Sequence, residues 1–350
     1  MYDDDLLILK GHEVLSLLAG REAELIRTVG AAYQAHAEGD SSLPHSTFLR
    51  FPADQRNRII ALPAYLGEEF GVAGIKWVSS FPGNLALGLD RASAVVILNS
   101  PQTGRPEAII EGSIISAKRT AASAALAAQL LQQDRPTRRA AFLGCGLINF
   151  EIARSLMAAC PDLTHFVVYD LDAARAAHFA QKCAATFAPV TTEVAPDLAS
   201  LLRAAPLISM ATTAGQPYIN ELDGCAPGST ILHISLRDLA PELILAGDNI
   251  VDDVDHVCRA QTSIHLTEQL VGHRDFVRCT LADILRGHAP ARRDADSIAI
   301  FSPFGLGVLD LAVSKLVRDL ALAESKGSRI SSFLPAPWLD GGAAQSEQKV

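Results

Sequence analysis

The stretch RRAAFLGCGLINFEIARSLMAACPDLTHFVVYD, residues 138–170, decides the fold of this chain. It predicts a strand, a glycine turn, an amphipathic helix and a second strand that ends on Asp170. Backbone N–H groups at the start of that helix would face a pyrophosphate. These groups belong to Gly144, Gly146, Leu147 and Ile148. The stretch therefore predicts a dinucleotide-binding βαβ unit.

The acid at the end of the second strand indicates which dinucleotide binds. Asp170 lies 26 residues after Gly144, where a carboxylate can accept hydrogen bonds from both ribose hydroxyls of an adenosine. A 2′-phosphate would be repelled there, so the predicted cofactor is NAD rather than NADP. Asn149 replaces the third glycine of the usual pattern and is expected to loosen the packing of the helix on the strand. An ordinary βαβ unit is the alternative, since two glycines alone are weak evidence.

The composition bounds the class of protein. With 350 residues, 49% of them hydrophobic, the chain can bury a full core and is expected to form about two domains. Its formal charge of −9 argues against a nucleic-acid partner, because binding phosphates requires clustered Lys and Arg. No uncharged apolar stretch reaches the roughly 20 residues that a bilayer requires, and the first residues are acidic. The chain is therefore predicted to be cytoplasmic, with no membrane partner.

The cysteines and histidines predict no metal site. Six cysteines are scattered without a CxxC pair, as expected of reduced thiols. The histidines also lack ligand spacing. His256, His265 and His273 do lie near Asp252, Asp253 and Asp255, but a solvated loop is the expected explanation.

The periodicity of the rest of the chain predicts two domains. Residues 12–37 have helical spacing, typical of a helix or a helix pair, and residues 113–132 form a long alanine-rich helix. Between them, strands of a mixed or antiparallel sheet are predicted at 47–51, 58–63, 72–79 and 94–98.

After Asp170 a strand-helix-strand pattern recurs to about residue 300, which predicts a doubly wound parallel sheet. The helix at 308–323 then returns to the first region. We expect an α/β protein in which a Rossmann domain, residues 131–304, is inserted into a second α+β domain formed by residues 1–130 and 305–335. Residues 336–350 are polar and predicted to be disordered.

Cations on apolar elements are candidates for binding an anionic substrate. Lys76 alternates with Ile75 and Trp77 on a predicted strand, so its ammonium takes the opposite face, where it can bind a carboxylate or polarise a C=N group. Arg119 can hold a carboxylate bidentately, and Thr120 offers a hydroxyl and a backbone donor. The alternatives are a solvated strand face for Lys76 and a surface ion pair for Arg119. Arg50 and Arg58 are weaker candidates, each of which taken singly is expected to be a surface charge.

The predicted Rossmann domain offers an acid of its own. Asp238 follows a strand just beyond its carboxyl end, where ligands bind in open α/β sheets, and can act as a general base. Its alternative role is to cap a helix at 239–245. Thr212 and Thr213 end the preceding strand and can line the nicotinamide ribose or serve as strand-end caps.

Six motifs together resemble the ornithine cyclodeaminase/μ-crystallin family. The resemblance implies that Lys76 and Arg119 contact substrate, that Asp238 is the acid-base group, and that two subunits pair through their first domains into a homodimer. It also places Ser235 among the cofactor contacts. Whether Lys76 or Asp238 carries the proton stays open. The motifs are Leu62-Pro63-Ala64-Tyr65, Gly74-Ile75-Lys76-Trp77, Gly104-x-Pro106, Arg119-Thr120-Ala121-Ala122, Gly144-Cys145-Gly146 and Gly305 to Asp310.

Within the family, several stretches resemble the branch that forms 2,3-diaminopropionate in siderophore pathways; they include Arg58-Ile59-Ile60-Ala61, Arg91-Ala92-Ser93 and Gln216-Pro217-Tyr218-Ile219. The resemblance implies NAD-dependent oxidation of the small anionic substrate N-(2-amino-2-carboxyethyl)-L-glutamate, whose imine is then hydrolysed to 2-oxoglutarate and diaminopropionate. Ser235 to Pro241 stands where cyclodeaminases carry a glycine-rich Asp-x-Pro-Gly segment. The family's early PxR arginine is missing at Pro44-His45-Ser46, which leaves Arg50 as its nearby substitute.

Three other activities remain possible. An ornithine cyclodeaminase would form proline and ammonia without net NADH. A μ-crystallin-like protein would bind a dinucleotide without turnover. An imine or ketimine reductase is the third, although Asp170 makes NADPH a less natural reductant.

Overall fold

The computed structural model describes residues 5–67 and 69–335; the predicted disordered tail, residues 336–350, lies outside them. The helices of the described chain are α1 (Gly11–Leu18), α2 (Glu22–Ala37), α3 (Ser113–Leu131), α4 (Leu147–Ala159), α5 (Ala173–Thr186), α6 (Leu198–Ala204), α7 (Pro241–Ala246), α8 (Val254–Val257), α9 (Ser263–Val271), α10 (Leu281–Leu285) and α11 (Gly307–Ala323). A 3-10 helix spans Pro82–Leu87.

The strands are β1 (Leu6–Leu9), β2 (Ser41–Ser42), β3 (Thr47–Phe51), β4 (Asp54–Leu66), β5 (Val72–Ser80), β6 (Ala92–Asn99), β7 (Pro106–Glu111), β8 (Arg139–Leu143), β9 (His165–Tyr169), β10 (Thr191–Val194), β11 (Leu207–Met210), β12 (Thr230–His233), β13 (Asp248–Val251), β14 (Val277–Thr280), β15 (Ala299–Ser302) and β16 (Ser328–Ile330). The predicted opening helix is thus a pair, α1 and α2.

The chain forms two compact units. Among the described residues, the first contains residues 5–19, 41–67, 69–115 and 310–335. Its sheet has the order β16-β1-β7-β6-β5-β4-β2, with β3 also paired to β4. β1 and β7 are parallel and the other neighbours antiparallel, so the sheet is mixed. Side chains alternate between its faces. Leu62, Val96 and Ile110 are buried on one face, whereas Trp77 is 40% exposed on the other.

The second unit contains residues 20–40 and 116–309 and carries the parallel sheet. The strand order is β10-β9-β8-β11-β12-β15-β13-β14, and every neighbouring pair is parallel. β11, β12, β13 and β15 are buried throughout, as expected of strands covered on both faces. The order reverses at β8, which lies between β9 and β11, and ligands of such sheets bind beside that reversal. The predicted doubly wound α/β fold is confirmed.

The boundaries of the units differ from the predicted domains. Helix α2 and residues 116–130 group with the parallel sheet, although both were expected in the other domain. The reason is packing inside the second unit. The buried Tyr33 hydroxyl of α2 lies 2.8 Å from Ser123 Oγ of α3, and the small Gly30 faces Leu126.

Within the described ranges, no helix is long and apolar enough to cross a bilayer. In the same ranges, no group of three or more His, Cys, Asp or Glu side chains is placed to hold a metal ion. The six cysteines are free thiols.

Candidate active site

The glycine turn after β8 leaves open space at the start of α4. Gly144 has φ of +90°, and an added Cβ there would lie 2.6 Å from the carbonyl oxygen of Ala211, so only glycine fits. Gly146 is the N-cap of α4 and supplies no side-chain cap, and an added Cβ there would meet no atom within 4 Å. The backbone N–H groups of Leu147 and Ile148, in the first turn of α4, have no intrahelical acceptors. This geometry fits a pyrophosphate.

The Asp170 carboxylate is fixed beside this turn. One of its oxygens accepts a hydrogen bond from Cys145 N at 2.8 Å, and the other accepts one from Asp172 N at 3.0 Å. The half-exposed Arg175 lies 3.6 Å from the same carboxylate. Asp170 therefore stands at the end of β9, where the carboxylate that binds ribose hydroxyls is found in dinucleotide folds.

The expectation that Asn149 loosens the helix is wrong. Its side chain is fully buried, and Nδ2 donates to the carbonyl oxygens of Leu143 at 2.8 Å and Gly144 at 2.7 Å. Its Oδ1 accepts from Ser209 Oγ at 2.7 Å. The amide therefore ties α4 to the ends of β8 and β11, replacing the close packing of a glycine with three hydrogen bonds.

Lys76 is buried in the first unit. Only 2% of the residue is exposed, and Nζ lies 2.7 Å from Asp310 Oδ2, whose residue is fully buried. The solvated-face alternative is therefore wrong. In the register of the sheet Lys76 lies opposite Leu62 and Val96, on the buried face. Asp310 was not predicted as a site residue. A single acid among the apolar residues Val308 to Val313 indicates a buried charge and could have identified it.

Arg50 and Arg58 are direct cross-strand partners on β3 and β4. Directly paired residues of antiparallel strands place their side chains on the same face. Because Arg58 and Leu62 are an even number of residues apart on β4, both arginines share the sheet face of Lys76. Arg50 is exposed with its guanidinium 5.6 Å from the centre of the Phe48 ring, and Arg58 is half-buried.

Arg119 is buried in the second unit, so its surface ion-pair alternative is wrong. Its guanidinium lies against Gly305, where an added Cβ would be 2.7 Å from Nη1. Gly305 has φ of +92°, and its N–H donates to Asp252 at 2.7 Å. The Thr120 hydroxyl donates to the Ser116 carbonyl oxygen at 2.7 Å within α3, which leaves its lone pairs to accept.

Asp252 corrects the expectation of a solvated loop. It is 2% exposed and accepts hydrogen bonds from the N–H groups of Phe304, Gly305 and Asp253. Burial raises its pKa, an effect that these hydrogen bonds oppose. His256, 7% exposed, is also buried. Asp252 therefore fastens the loop against which Arg119 lies.

Asp238 lies among hydroxyl groups at the carboxyl edge of the parallel sheet. It is fully buried, and Oδ1 accepts from Thr212 Oγ1 at 2.5 Å and from Tyr218 Oη at 3.2 Å. Oδ2 accepts from Ser235 Oγ and lies 3.4 Å from His233 Nε2. The helix-cap alternative is wrong, because the N-cap of α7 is Ala240.

The surroundings of Asp238 favour its ionised form. Burial raises the pKa of the carboxyl, but the nearby His233 and the hydrogen bonds donated by Ser235 and Thr212 outweigh burial, so the pKa is lowered. His233 Nε2 accepts the Asp238 backbone N–H at 3.2 Å, which favours the proton on Nδ1, facing Ser302 Oγ. The hydroxyl donors Ser235 and Thr212 therefore lower the pKa of Asp238 more than the imidazole does.

Each unit thus gathers part of the predicted site. The first brings Lys76, Arg50 and Arg58 to one sheet face, and the second brings Thr212, Ser235 and Asp238 to one sheet edge. Thr213 is exposed and, like Thr212, lies beyond β11, which ends at Met210 rather than at the predicted Thr212. His233 and Tyr218 also contact Asp238 and were not predicted as site residues, because these contacts depend on how β12 and the segment after β11 pack together.

Comparisons with known proteins agree with this architecture. The sequence profile of the ornithine cyclodeaminase/mu-crystallin family matches residues 6–325. N-((2S)-2-amino-2-carboxyethyl)-L-glutamate dehydrogenase of Staphylococcus aureus is 29% identical over 311 residues, 86% of this chain and 91% of that protein. Alanine dehydrogenase of Archaeoglobus fulgidus is 28% identical over 335 residues, 93% of this chain and 98% of that protein.

A solved structure extends the likeness to three dimensions. An archaeal alanine dehydrogenase dimer with bound NAD superimposes with a TM-score of 0.84 at 28% identity, covering 94% of this chain and all of that one. The predictions of a family of enzymes that act on amino acids and of NAD as their cofactor are confirmed by these relatives. The chain belongs to the ornithine cyclodeaminase/mu-crystallin family.

Proposed function

We propose that the chain is an NAD-dependent dehydrogenase that converts N-(2-amino-2-carboxyethyl)-L-glutamate, NAD and water into L-2,3-diaminopropionate, 2-oxoglutarate, NADH and a proton. The dehydrogenase relative from Staphylococcus aureus supports this substrate. The product would be a precursor of a siderophore or an antibiotic, formed in the cytoplasm. The observation that carries the choice of substrate is the pairing of Arg50 with Arg58 on the face of Lys76.

Like charges directly opposite each other in a sheet are destabilising, and an anion bound between them removes that penalty. Arg58 is four residues along β4 from the partner of Lys76, a separation of about 13 Å between these positions. A long substrate with three carboxylates can use both ends of such a row of cations. Alanine, with one carboxylate, needs only one of them.

The second unit holds NAD in this proposal. Gly144, Gly146, Leu147 and Ile148 bind the pyrophosphate, Asp170 the adenosine ribose, and Thr120, Thr212, Thr213 and Ser235 complete the contacts. NAD, when bound, supplies the acceptor for a hydride from the carbon beside the substrate nitrogen. Arg119 holds a substrate carboxylate bidentately.

Two buried groups of this chain can handle the proton of the substrate nitrogen. The Asp238 carboxylate, kept ionised by its neighbours, can take the amine proton and return it to the nitrogen that leaves after water adds to the imine. Lys76 is the other candidate, and its ammonium, neutralised by Asp310, can also stabilise a carboxylate.

A homodimer formed through the first unit is part of the proposal. Several large apolar side chains of residues 49–89 are exposed, and an interface between subunits would cover them. They are Leu49, Trp77, Leu85, Leu87 and Leu89. The archaeal relative described as a dimer supports this assembly. Trp77→Lys should yield a monomer in size-exclusion chromatography with light scattering. The control Leu270→Lys, at an exposed leucine of α9, should stay dimeric. A monomeric natural protein would contradict the proposal.

The substrate is tested by offering several amines to the purified protein with NAD. The tricarboxylate should give NADH, 2-oxoglutarate and diaminopropionate in equal amounts. Pyruvate and NADH from alanine alone would favour an alanine dehydrogenase, the alternative suggested by the relative that covers 93% of this chain. Proline from ornithine without net NADH would indicate a cyclodeaminase. Reduction of cyclic imines would indicate a ketimine reductase, and cofactor binding without any product would indicate a μ-crystallin-like protein.

The arginine pair is tested by Arg58→Gln. Loss of a hydrogen bond to a charged group, about 1.5–3 kcal/mol, should raise KM for the tricarboxylate by roughly 10- to 100-fold. Arg56→Gln is the matched control, because Arg56 is exposed and its guanidinium pairs locally with Asp54. An unchanged KM in Arg58→Gln would remove the pair from the binding site.

A further inference from the structure

The Asp238 cluster contains one member that reaches solvent. Asp238 is fully buried, whereas Tyr218 is 43% exposed and donates its hydroxyl proton to Asp238 Oδ1 at 3.2 Å. Thr212 and Ser235 donate to the same carboxylate, which has no exposed surface from which to reach a ligand.

The backbone builds this contact. The N–H groups of Tyr218 and Ile219 both donate to the Asp238 carbonyl oxygen, at 3.0 and 2.9 Å. Ile219 also forms a parallel bridge with Leu239. The segment after β11 is therefore fastened to the segment after β12, and the Tyr218 ring is held over Asp238 by main-chain bonds rather than by a side-chain rotamer alone.

Resting on the function proposed above, we propose that Tyr218 is the group that exchanges a proton with the substrate nitrogen, while Asp238 stores the proton that Tyr218 passes inward. Asp238 is thereby a positioning and storage residue rather than the base that touches substrate. This proton exchange needs no group beyond the substrate amine, the Tyr218 hydroxyl and the Asp238 carboxylate.

Two protons move together in this transfer. The N–H bond of the substrate amine breaks and forms a new O–H bond at Tyr218 Oη as the original Oη–H bond breaks and an O–H bond forms at Asp238 Oδ1. The charge of Asp238 changes from −1 to zero, and Tyr218 is neutral before and after. When water has added to the imine, the two transfers run in reverse and deliver the stored proton to the departing nitrogen. The C–N bond breaks as the C=O bond of 2-oxoglutarate forms, and the hydroxyl proton of the adduct passes to solvent as the proton that the reaction releases.

The groups around Tyr218 keep its hydroxyl protonated. Burial first, then the Asp238 charge and hydrogen bond, raise the pKa of the Tyr218 phenol, an effect that Thr212 opposes and Tyr169 slightly reinforces. A phenol with a raised pKa cannot act as a base by losing its proton to water at neutral pH. The Tyr218 hydroxyl can accept a proton from the substrate only if its own proton passes to the Asp238 carboxylate. Arg237 and His233 are the other ionisable groups beside Asp238.

The activity test compares two tyrosine variants. Tyr218→Phe should lower kcat by about 100-fold or more, in the range of general acid-base catalysis, with NAD affinity unchanged. Tyr65→Phe, at an exposed tyrosine of β4 in the other unit, is the matched control and should keep the natural rate. A Tyr218→Phe enzyme with kcat within threefold of the natural protein and an unchanged pH profile would overturn the relay.

A second measurement does not depend on turnover. With tyrosine labelled at the ring carbon that carries the hydroxyl, NMR should show Tyr218 un-ionised at pH 10.5 in the natural protein and partly ionised there in Asp238→Asn. Loss of one signal in Tyr218→Phe assigns the resonance. Ionisation at the same pH in both proteins would overturn the relay.

The two measurements separate the relay from the proposed substrate. If no NADH forms from the tricarboxylate, the proposed function is wrong, and the NMR comparison alone decides the relay. If NADH forms and Tyr218→Phe turns over normally, the function stands and the relay is wrong.

Discussion

Asp310 and Asp238 are both fully buried, and they are stabilised in different ways. Asp310 of the first unit faces the ammonium of Lys76, whereas Asp238 of the second unit accepts hydrogen bonds from Thr212, Ser235 and Tyr218. A cation neutralises a charge but offers it no proton path through neutral groups. Hydroxyls can donate and accept in turn, so they stabilise a charge and also let a proton move. We infer that the first aspartate holds a charge in place and the second handles a proton.

The largest expected effect is the loss of stability when the ion pair between Lys76 and Asp310 is broken. Lys76→Met removes the ammonium that pairs with Asp310 and should lower the free energy of unfolding by about 3–5 kcal/mol, the usual cost of breaking a buried ion pair by removing one partner. Urea unfolding measures the loss. The double variant Lys76→Met/Asp310→Leu should recover much of it, because both charges are gone. A single variant within about 1 kcal/mol of the natural protein would show that the ion pair does not carry this stability.

A smaller loss is expected when one hydroxyl donor is removed from Asp238. Thr212→Val should lower the free energy of unfolding by about 1.5–3 kcal/mol, the usual value of a hydrogen bond to a charged group. The neighbouring Thr213→Val serves as control, because Thr213 is exposed and its replacement should cost less than about 0.5 kcal/mol. Equal losses at both positions, measured without NAD, would show that the Thr212 bond to Asp238 is unimportant.

Asp238→Asn should cost less still, about 1 kcal/mol, because the amide can exchange hydrogen bonds with the same hydroxyls. The lowered pKa of Asp238 also gives the loss a pH dependence. A carboxylate with a lowered folded-state pKa stabilises the fold above its unfolded pKa, near 3.8, and this contribution disappears as the pH falls through the folded-state value. The stability difference between the natural protein and Asp238→Asn should therefore shrink below about pH 4. A difference that grows on acidification in urea titrations would contradict the assignment.

The smallest effect on stability is expected for Tyr218→Phe, at most about 1 kcal/mol, because three other groups still surround Asp238. Its loss of turnover should nevertheless be large. A large loss of turnover beside a small loss of stability is expected of a residue that moves a proton rather than one that stabilises the fold. A Tyr218→Phe protein that loses as much stability as Lys76→Met would place Tyr218 among the structural residues.

The sequence predicted the fold well because the fold depends on local patterns. The glycine turn, the apolar strands and the acid at Asp170 all lie within 33 residues, so the βαβ unit was visible without tertiary information. Lys76 and Arg119 were identified as candidates, but their burial was not, because a charge is buried only when a distant partner such as Asp310 compensates for it.

Contacts between distant segments explain the remaining errors. Asn149 was expected to weaken packing, but the acceptors and the donor it uses lie on two strands that the sequence alone does not bring together. Asp252 was assigned to a solvated loop, because its partners Phe304 and Gly305 are about fifty residues away in the chain. The assignment of α2 and most of α3 to the second unit likewise depends on the contact between Tyr33 and Ser123.

The central proposal is that this protein removes a hydride from the glutamate α-carbon of an N-linked tricarboxylate. The most direct measurement uses N-(2-amino-2-carboxyethyl)-L-glutamate that carries deuterium at that carbon. One deuterium should appear in the reduced nicotinamide for each 2-oxoglutarate released, with a slower rate than for the unlabelled substrate if hydride transfer limits turnover. Release of 2-oxoglutarate without deuterium in the cofactor, or no reduced cofactor at all, would contradict the account.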